Sequence, residues 1–144
     1  MSNDNRLDLT AFSERIATLR THVADNVVGQ SLPVHLLLTA LMADGHVLLE
    51  GVPGVAKTLL AKTLARLVRA DFRRVQFTPD LMPTDVLGTS IFNLGTQQFD
   101  FHPGPVFTQV LLVDEINRAP AKTQAALFEV MEERQVTLDG NTRR

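Results

Sequence analysis

The sequence predicts an α/β domain with a parallel sheet. Short apolar runs at 46–50 and 110–113 read as strands with residues 74–77 as a further strand between them, and segments of helical periodicity follow both apolar runs. The run at 46–50 leads straight into a turn rich in glycine and proline that opens a helix, which suits a strand buried on both faces.

The elements follow in order. Phe12, Ile16, Leu19 and Val23 recur at helical spacing, so residues 10–25 read as an amphipathic helix, broken by Asn26-Val27-Val28-Gly29-Gln30. Ser31 can cap a second helix from about Leu32 to Ala43, with Pro33 tolerated in its first turn. That helix is apolar on nearly every face, so burial is expected, and Asp44-Gly45 ends it. After the strand His46–Glu50, a helix runs from Lys57 to Arg69 with Leu60, Leu64 and Leu67 on one face. Arg74–Phe77 is the second strand, and Pro79 and Pro83 force a loop. Ser90–Phe92 and Gln98–Phe101 flank Asn93-Leu94-Gly95-Thr96 as a hairpin, whose Phe99 and Phe101 share one face and are expected to pack inward. The buried strand Val110–Val113 and a helix from about Pro120 to Glu133 come next. Gln135–Leu138 then meets Asp139-Gly140, a two-residue turn signal for a second hairpin.

Composition narrows the function. At 144 residues the chain fits one domain of ordinary size, and 44% hydrophobic with 21% charged residues is soluble globular composition. A net charge of −2 gives no global electrostatic case for nucleic acid. Absence of cysteine excludes disulfides, thiol catalysis and thiolate metal sites. His22, His35, His46 and His102 have no ligand spacing. Met1–Asp8 lacks the basic start and apolar run of a signal peptide. Val34–Ala43 is too short to span a bilayer, so the expected location is cytoplasmic.

Two motifs carry chemistry. Gly51-Val52-Pro53-Gly54-Val55-Ala56-Lys57-Thr58 lies between a predicted strand and a predicted helix, the context of a phosphate-binding loop. Glycines let the backbone approach phosphates, successive N–H groups form an anion nest, and the helix N-terminus adds its positive dipole end. Lys57 can reach the β- and γ-phosphates of ATP, and the Thr58 hydroxyl can ligate Mg²⁺. Ala56 stands where the strict pattern has glycine, so the loop must hold it at an ordinary φ. The second motif is Val110-Leu111-Leu112-Val113-Asp114-Glu115, a strand ending in two acids at the edge where open α/β sheets bind ligands. Asp114 can hold magnesium through a water, and Glu115 can polarise the water that attacks the γ-phosphate. Arg66, Arg69, Arg73 and Arg74 form a small basic cluster, read as a solvated helix end because no aromatic residues interleave.

These motifs together resemble the MoxR branch of the AAA+ ATPases. In that family alanine before the lysine is usual, so Ala56 agrees with it. Val28-Gly29-Gln30 resembles the adenine-contacting segment, and the stretches Gln76–Gly88, Phe101–Phe107 and Asp114–Ala119 are similar to family stretches. The resemblance runs from Val27 to Gly140, with 1–26 as an N-terminal helix and lead-in and 27–144 as a partial AAA+ core. It implies a P-loop NTPase sheet flanked by helices, truncated before the sensor strand and helical lid. The insert hairpin would span about 88–103 and the second hairpin begin near 135. It implies nucleotide contacts at Val28, Gly29, Gly51, Val52, Pro53, Gly54, Val55, Ala56, Lys57, Thr58, Leu59 and Asp114, with Thr58 and Asp114 serving Mg²⁺ and Lys57 and Glu115 serving catalysis. It further implies a homo-oligomeric ring, usually a hexamer, and partner proteins carrying von Willebrand factor A domains. The arginine finger and second sensor match no residue here. Arg118, beside the acidic pair, either faces a neighbouring subunit or is solvated.

The expected activity is Mg²⁺-dependent ATP hydrolysis driving chaperone-like remodelling or assembly of partner proteins, at low level in this chain alone. Two alternatives stay open: a regulatory module that binds nucleotide without hydrolysis, and a DNA-associated or magnesium-chelatase-like ring ATPase.

Overall fold

A computed structural model describes residues 10, 13–18, 21, 31–51, 57–138 and 140–143, the Ser31 side chain excepted. The chain divides into two compact units, Met1–Arg69 and Ala70–Arg144.

In the first unit, residues 13–18 are helical, inside the predicted first helix, while Phe12, Leu19 and Val23 lie outside the described residues. Helix α1 (Ser31–Met42) places Val34 and Leu38 one turn apart, and both are buried against Leu60 and Leu64 of helix α2 (Lys57–Leu67). Leu37, Leu67 and Val68 close the edge of this cluster. The expected burial of α1 on all sides is not observed: Leu32 is 65% and Leu36 54% exposed. The reason is geometric, since one partner helix covers one stripe of an apolar cylinder. Asp44 takes a left-handed φ of 53° at the end of α1, and Gly45 N–H donates to Ala40 C=O at 2.8 Å. Asp44 N–H donates to Leu41 C=O at 3.2 Å, completing a Schellman end at the predicted stop. Arg69, also left-handed at 55°, stops the chain just past α2.

The predicted strand His46–Glu50 is not formed. Its residues belong to no ladder among the described residues, and Leu48 is 74% exposed. Apolar character alone does not make a strand: a ladder needs a second backbone alongside, and among the described residues no strand lies in register with this run.

In the second unit, β1 (Phe72–Gln76) pairs in parallel with β4 (Val110–Asp114), in register from Phe72↔Val110 to Gln76↔Asp114. Phe77 N–H extends the ladder by donating to Asp114 C=O at 2.8 Å. Strand alternation sends Val75, Leu111 and Val113 into a core around the fully buried Phe77, Val86 and Leu127. Arg74, Gln76, Leu112 and Asp114 therefore share the opposite face of the sheet. β4 is half-buried throughout, not fully buried as expected, because this core covers one of its faces.

The loop expected around Pro79 and Pro83 holds a short helix, α3 (Pro83–Leu87), that sequence reading missed. Pro83 sits in its first turn, where its missing N–H costs nothing, and Asp85 accepts from Met82 N–H at 2.8 Å as a cap. Helix α4 (Ala121–Glu133) lies beside α3 and lends Leu127 and Met131 to the core. The buried Thr123 hydroxyl donates to Leu81 C=O at 2.7 Å, tying α4 to the loop before α3.

The hairpin β2 (Gly88–Asn93) and β3 (Gln98–Pro103) forms as predicted, two residues longer at its base. That base requires two glycines. Gly88 sits at φ 98°, and a Cβ on Gly104 would collide with Val86 O, Gly88 N and, at 2.7 Å, Leu87 C. Phe101 packs as expected, its ring 5.6 Å from that of Phe107 with the Arg143 guanidinium 4.1 Å above it. Phe99 does not: it is 71% exposed, with its ring edge-on to that of Phe92, its cross-strand partner, at 5.2 Å. The second hairpin, β5 (Val136–Leu138) and β6 (Asn141–Arg143), forms around the predicted turn, of which Asp139 lies outside the described residues. No helix among the described residues is long and apolar enough to cross a membrane.

Candidate functional site

The phosphate-loop half belongs to the first unit. Lys57 is the first residue of α2, and Thr58 follows it within the first turn, both half-buried. No acidic residue stands in that turn to offset the positive end of the helix dipole. Lys57 Nζ donates to Gly51 C=O at 2.9 Å. Leu59 is 49% exposed. Val52, Pro53, Gly54, Val55 and Ala56 lie outside the described residues, as do Val28 and Gly29.

The acidic half belongs to the second unit. Asp114 ends β4, its carboxylate on the sheet face away from the core and 23% exposed. Glu115 follows in a left-handed conformation, φ 57° and ψ 43°, which few non-glycine residues adopt. That turn separates the two acids: Asp114 stays with the ladder, while Glu115 opens a short 3-10 helix (Ile116–Arg118) with its side chain 55% exposed. Arg118 N–H donates to Glu115 C=O at 2.9 Å, and the Arg118 guanidinium lies 4.0 Å from the Glu115 carboxylate. Arg118 is 62% exposed, so this pair is a loose one.

Sequence reading missed Arg74. Its Nε donates to Asp114 Oδ2 at 2.5 Å, and its Nη2 donates to Gln76 Oε1 at 3.2 Å. The basic cluster is a solvated helix end only at Arg66 and Arg69, which are exposed; Arg73 and Arg74 stand on β1, with Arg73 reaching Gly104 C=O at 3.4 Å. Alternation along β1 puts Arg74 and Gln76 on one face, but no sequence signal names β4 as the neighbour.

The donors suit a hard divalent cation. The Thr58 hydroxyl and the Asp114 carboxylate are oxygen ligands, the kind Mg²⁺ takes one or two of alongside phosphate oxygens and water. Among the described residues, no three His, Asp or Glu side chains gather into a metal cage of their own. An exposed carboxylate one residue beyond Asp114 is free to meet a water molecule.

Residues 46–144 match the ATPase family associated with various cellular activities (AAA). The chain belongs to the AAA ATPase family. Among its relatives, Chaperone MoxR1 of Mycobacterium tuberculosis is 58% identical over 116 residues, covering 81% of this chain and 31% of the relative. Protein MoxR of Methylorubrum extorquens is 38% identical over 135 residues, 90% of this chain and 39% of the relative. The resemblance to the MoxR branch is borne out. A crystal structure of a Cytophaga hutchinsonii protein, provisionally assigned as an ATPase, is 44% identical, with a TM-score of 0.74 over 96% of this chain and 44% of that one. The chain therefore spans about a third of the length of these curated MoxR relatives, 31% and 39%.

Proposed function

We propose that the intact AAA protein binds ATP with Mg²⁺ and hydrolyses it to drive remodelling or assembly of partner proteins. The observation that carries this is the acidic end of β4: Asp114 held at the carboxyl edge of a parallel ladder, with Glu115 turned out one residue later. In this reading Lys57 leaves the Gly51 carbonyl for the β- and γ-phosphates, and the backbone of residues 51–56, Pro53 excepted, and the N-terminus of α2 supply N–H donors to them. Val28, Gly29 and Leu59 border the nucleotide. Thr58, and Asp114 through a water, would hold Mg²⁺, and the ion would neutralise charge on the phosphate oxygens. Glu115 accepts a hydrogen bond from the attacking water and orients it. A ring of identical subunits and a partner with a von Willebrand factor A domain complete the proposal, as does a cytoplasmic setting.

The test uses the intact protein and two variants. Lys57→Ala is expected to weaken binding of a fluorescent ATP analogue by about 10- to 150-fold, the equivalent of one hydrogen bond to a charged group. Glu115→Gln is expected to keep that affinity and lower phosphate release by about 10²–10⁴-fold. Binding by Lys57→Ala as tight as in the parent overturns the loop assignment.

A further inference from the structure

We propose that Arg74 is a positioning residue that competes with Mg²⁺ for the Asp114 carboxylate, so that metal loading displaces its guanidinium onto Gln76. This rests on the reading, given above, that Asp114 holds Mg²⁺ through a water.

Three side chains meet at the last rung of the β1–β4 ladder. Gln76 is the register partner of Asp114, and Arg74, two residues earlier, shares its face. The Arg74 guanidinium bridges the other two, with Nε on Asp114 Oδ2 at 2.5 Å and Nη2 on Gln76 Oε1 at 3.2 Å. Asp114 has no other side-chain partner among the described residues, so Arg74 is the cation that holds its carboxylate. A guanidinium and a divalent ion drawn to the same carboxylate repel each other, so metal at Asp114 weakens the Arg74 contact. The contact is suited to being given up. It is one hydrogen bond rather than a bidentate fork, and the Arg74 side chain is 49% exposed, which limits what the ion pair is worth. Gln76 gives the released guanidinium a neutral acceptor that it already touches. While the pair is made, Arg74 keeps Asp114 at the ladder end in one orientation; once metal arrives, the same arginine is the group that must yield. Arg74 thereby sets the metal concentration at which the site fills.

The experiment titrates Mn²⁺ into the intact protein carrying a non-hydrolysable ATP analogue, with bound ion read as loss of the free-ion EPR signal. Arg74→Gln removes the charge and is expected to tighten Mn²⁺ binding about two- to fivefold, the equivalent of an exposed ion pair. Arg74→Lys keeps the charge and is expected to stay within about twofold of the parent. Asp114→Asn is expected to weaken binding, and adding Arg74→Gln to it is expected to bring no gain. If Asp114→Asn weakens binding but Arg74→Gln leaves it unchanged or weaker, the competition is wrong and the metal site stands. A gain from Arg74→Gln that persists beside Asp114→Asn also overturns the competition, because it acts through general charge. If Asp114→Asn changes nothing, Asp114 does not hold the metal and both readings fall.

Discussion

Phe77 anchors the strand end that carries the acidic pair, and its removal has a calculable consequence. Its ring is 0% exposed and packs with Val86, Ala119 and Leu127, while its amide donates to Asp114 C=O at 2.8 Å. Phe77→Ala deletes the largest fully buried side chain of the second unit and leaves a cavity among rigid neighbours. A buried phenylalanine truncated in this way costs about 3–5 kcal/mol. Native domains hold only about 5–15 kcal/mol in total, so the loss is a large share. With a urea m-value of about 1–2 kcal/mol per molar, the midpoint followed by far-UV circular dichroism is expected to fall by roughly 1.5–5 M. Phe77→Leu, which keeps most of the volume, is expected to cost less than about 1.5 kcal/mol. Protection of the residue 77 amide from hydrogen exchange should fall with the midpoint, since the same ring seats that hydrogen bond. A midpoint shift below about 0.5 M for Phe77→Ala would refute the claim that this core holds β1 against β4.

Three further outcomes are expected from the second unit. Thr123→Val keeps the shape but leaves Leu81 C=O without its 2.7 Å donor, and is expected to cost about 1–3 kcal/mol by urea melt; no change would mean that water replaces the hydroxyl. Gly104→Ala drives a methyl into the backbone of Val86 and Gly88, so a loss of at least about 1–3 kcal/mol is expected in thermal unfolding, whereas Gly95→Ala on the hairpin turn serves as the mild control. Asp80 titrates below its ordinary 3.8 because the Thr78 side chain hydrogen-bonds its carboxylate, aided by a backbone hydrogen bond. A depressed folded value means that the contribution to stability is present above the unfolded value and lost as pH falls through the lowered one. Thr78→Val should raise the Asp80 midpoint seen by NMR toward the ordinary value and shrink that acid-side loss; an unmoved midpoint would assign the shift to the backbone alone.

Local signals located most of the pieces. Leucines one turn apart marked α2, the Asn93–Thr96 turn marked the first hairpin, and Asp44-Gly45 marked a helix end that closes as a Schellman motif. Each depends on neighbours within a few residues, so each was legible from spacing. The phosphate loop and the acidic pair were legible for the same reason, because their chemistry is carried by adjacent residues. Tertiary contacts decided the rest. The run at 46–50 has the apolar character of a strand, but a strand exists only when another backbone pairs with it. Helix α1 is apolar all round, yet its burial is set by how much surface a partner covers. Phe99 and Phe101 are equivalent by alternation, and only the arrival of Phe107 and Arg143 over one of them separates their fates. Arg74 and Asp114 lie forty residues apart in the chain, and the parallel register of β1 with β4 brings them within hydrogen-bonding distance. The sequence by itself determined which side chains can handle phosphate, metal and water, because that is a property of their functional groups. Which cation holds Asp114 was decided by the tertiary structure, because pairing between strands depends on two distant segments at once and is written in neither.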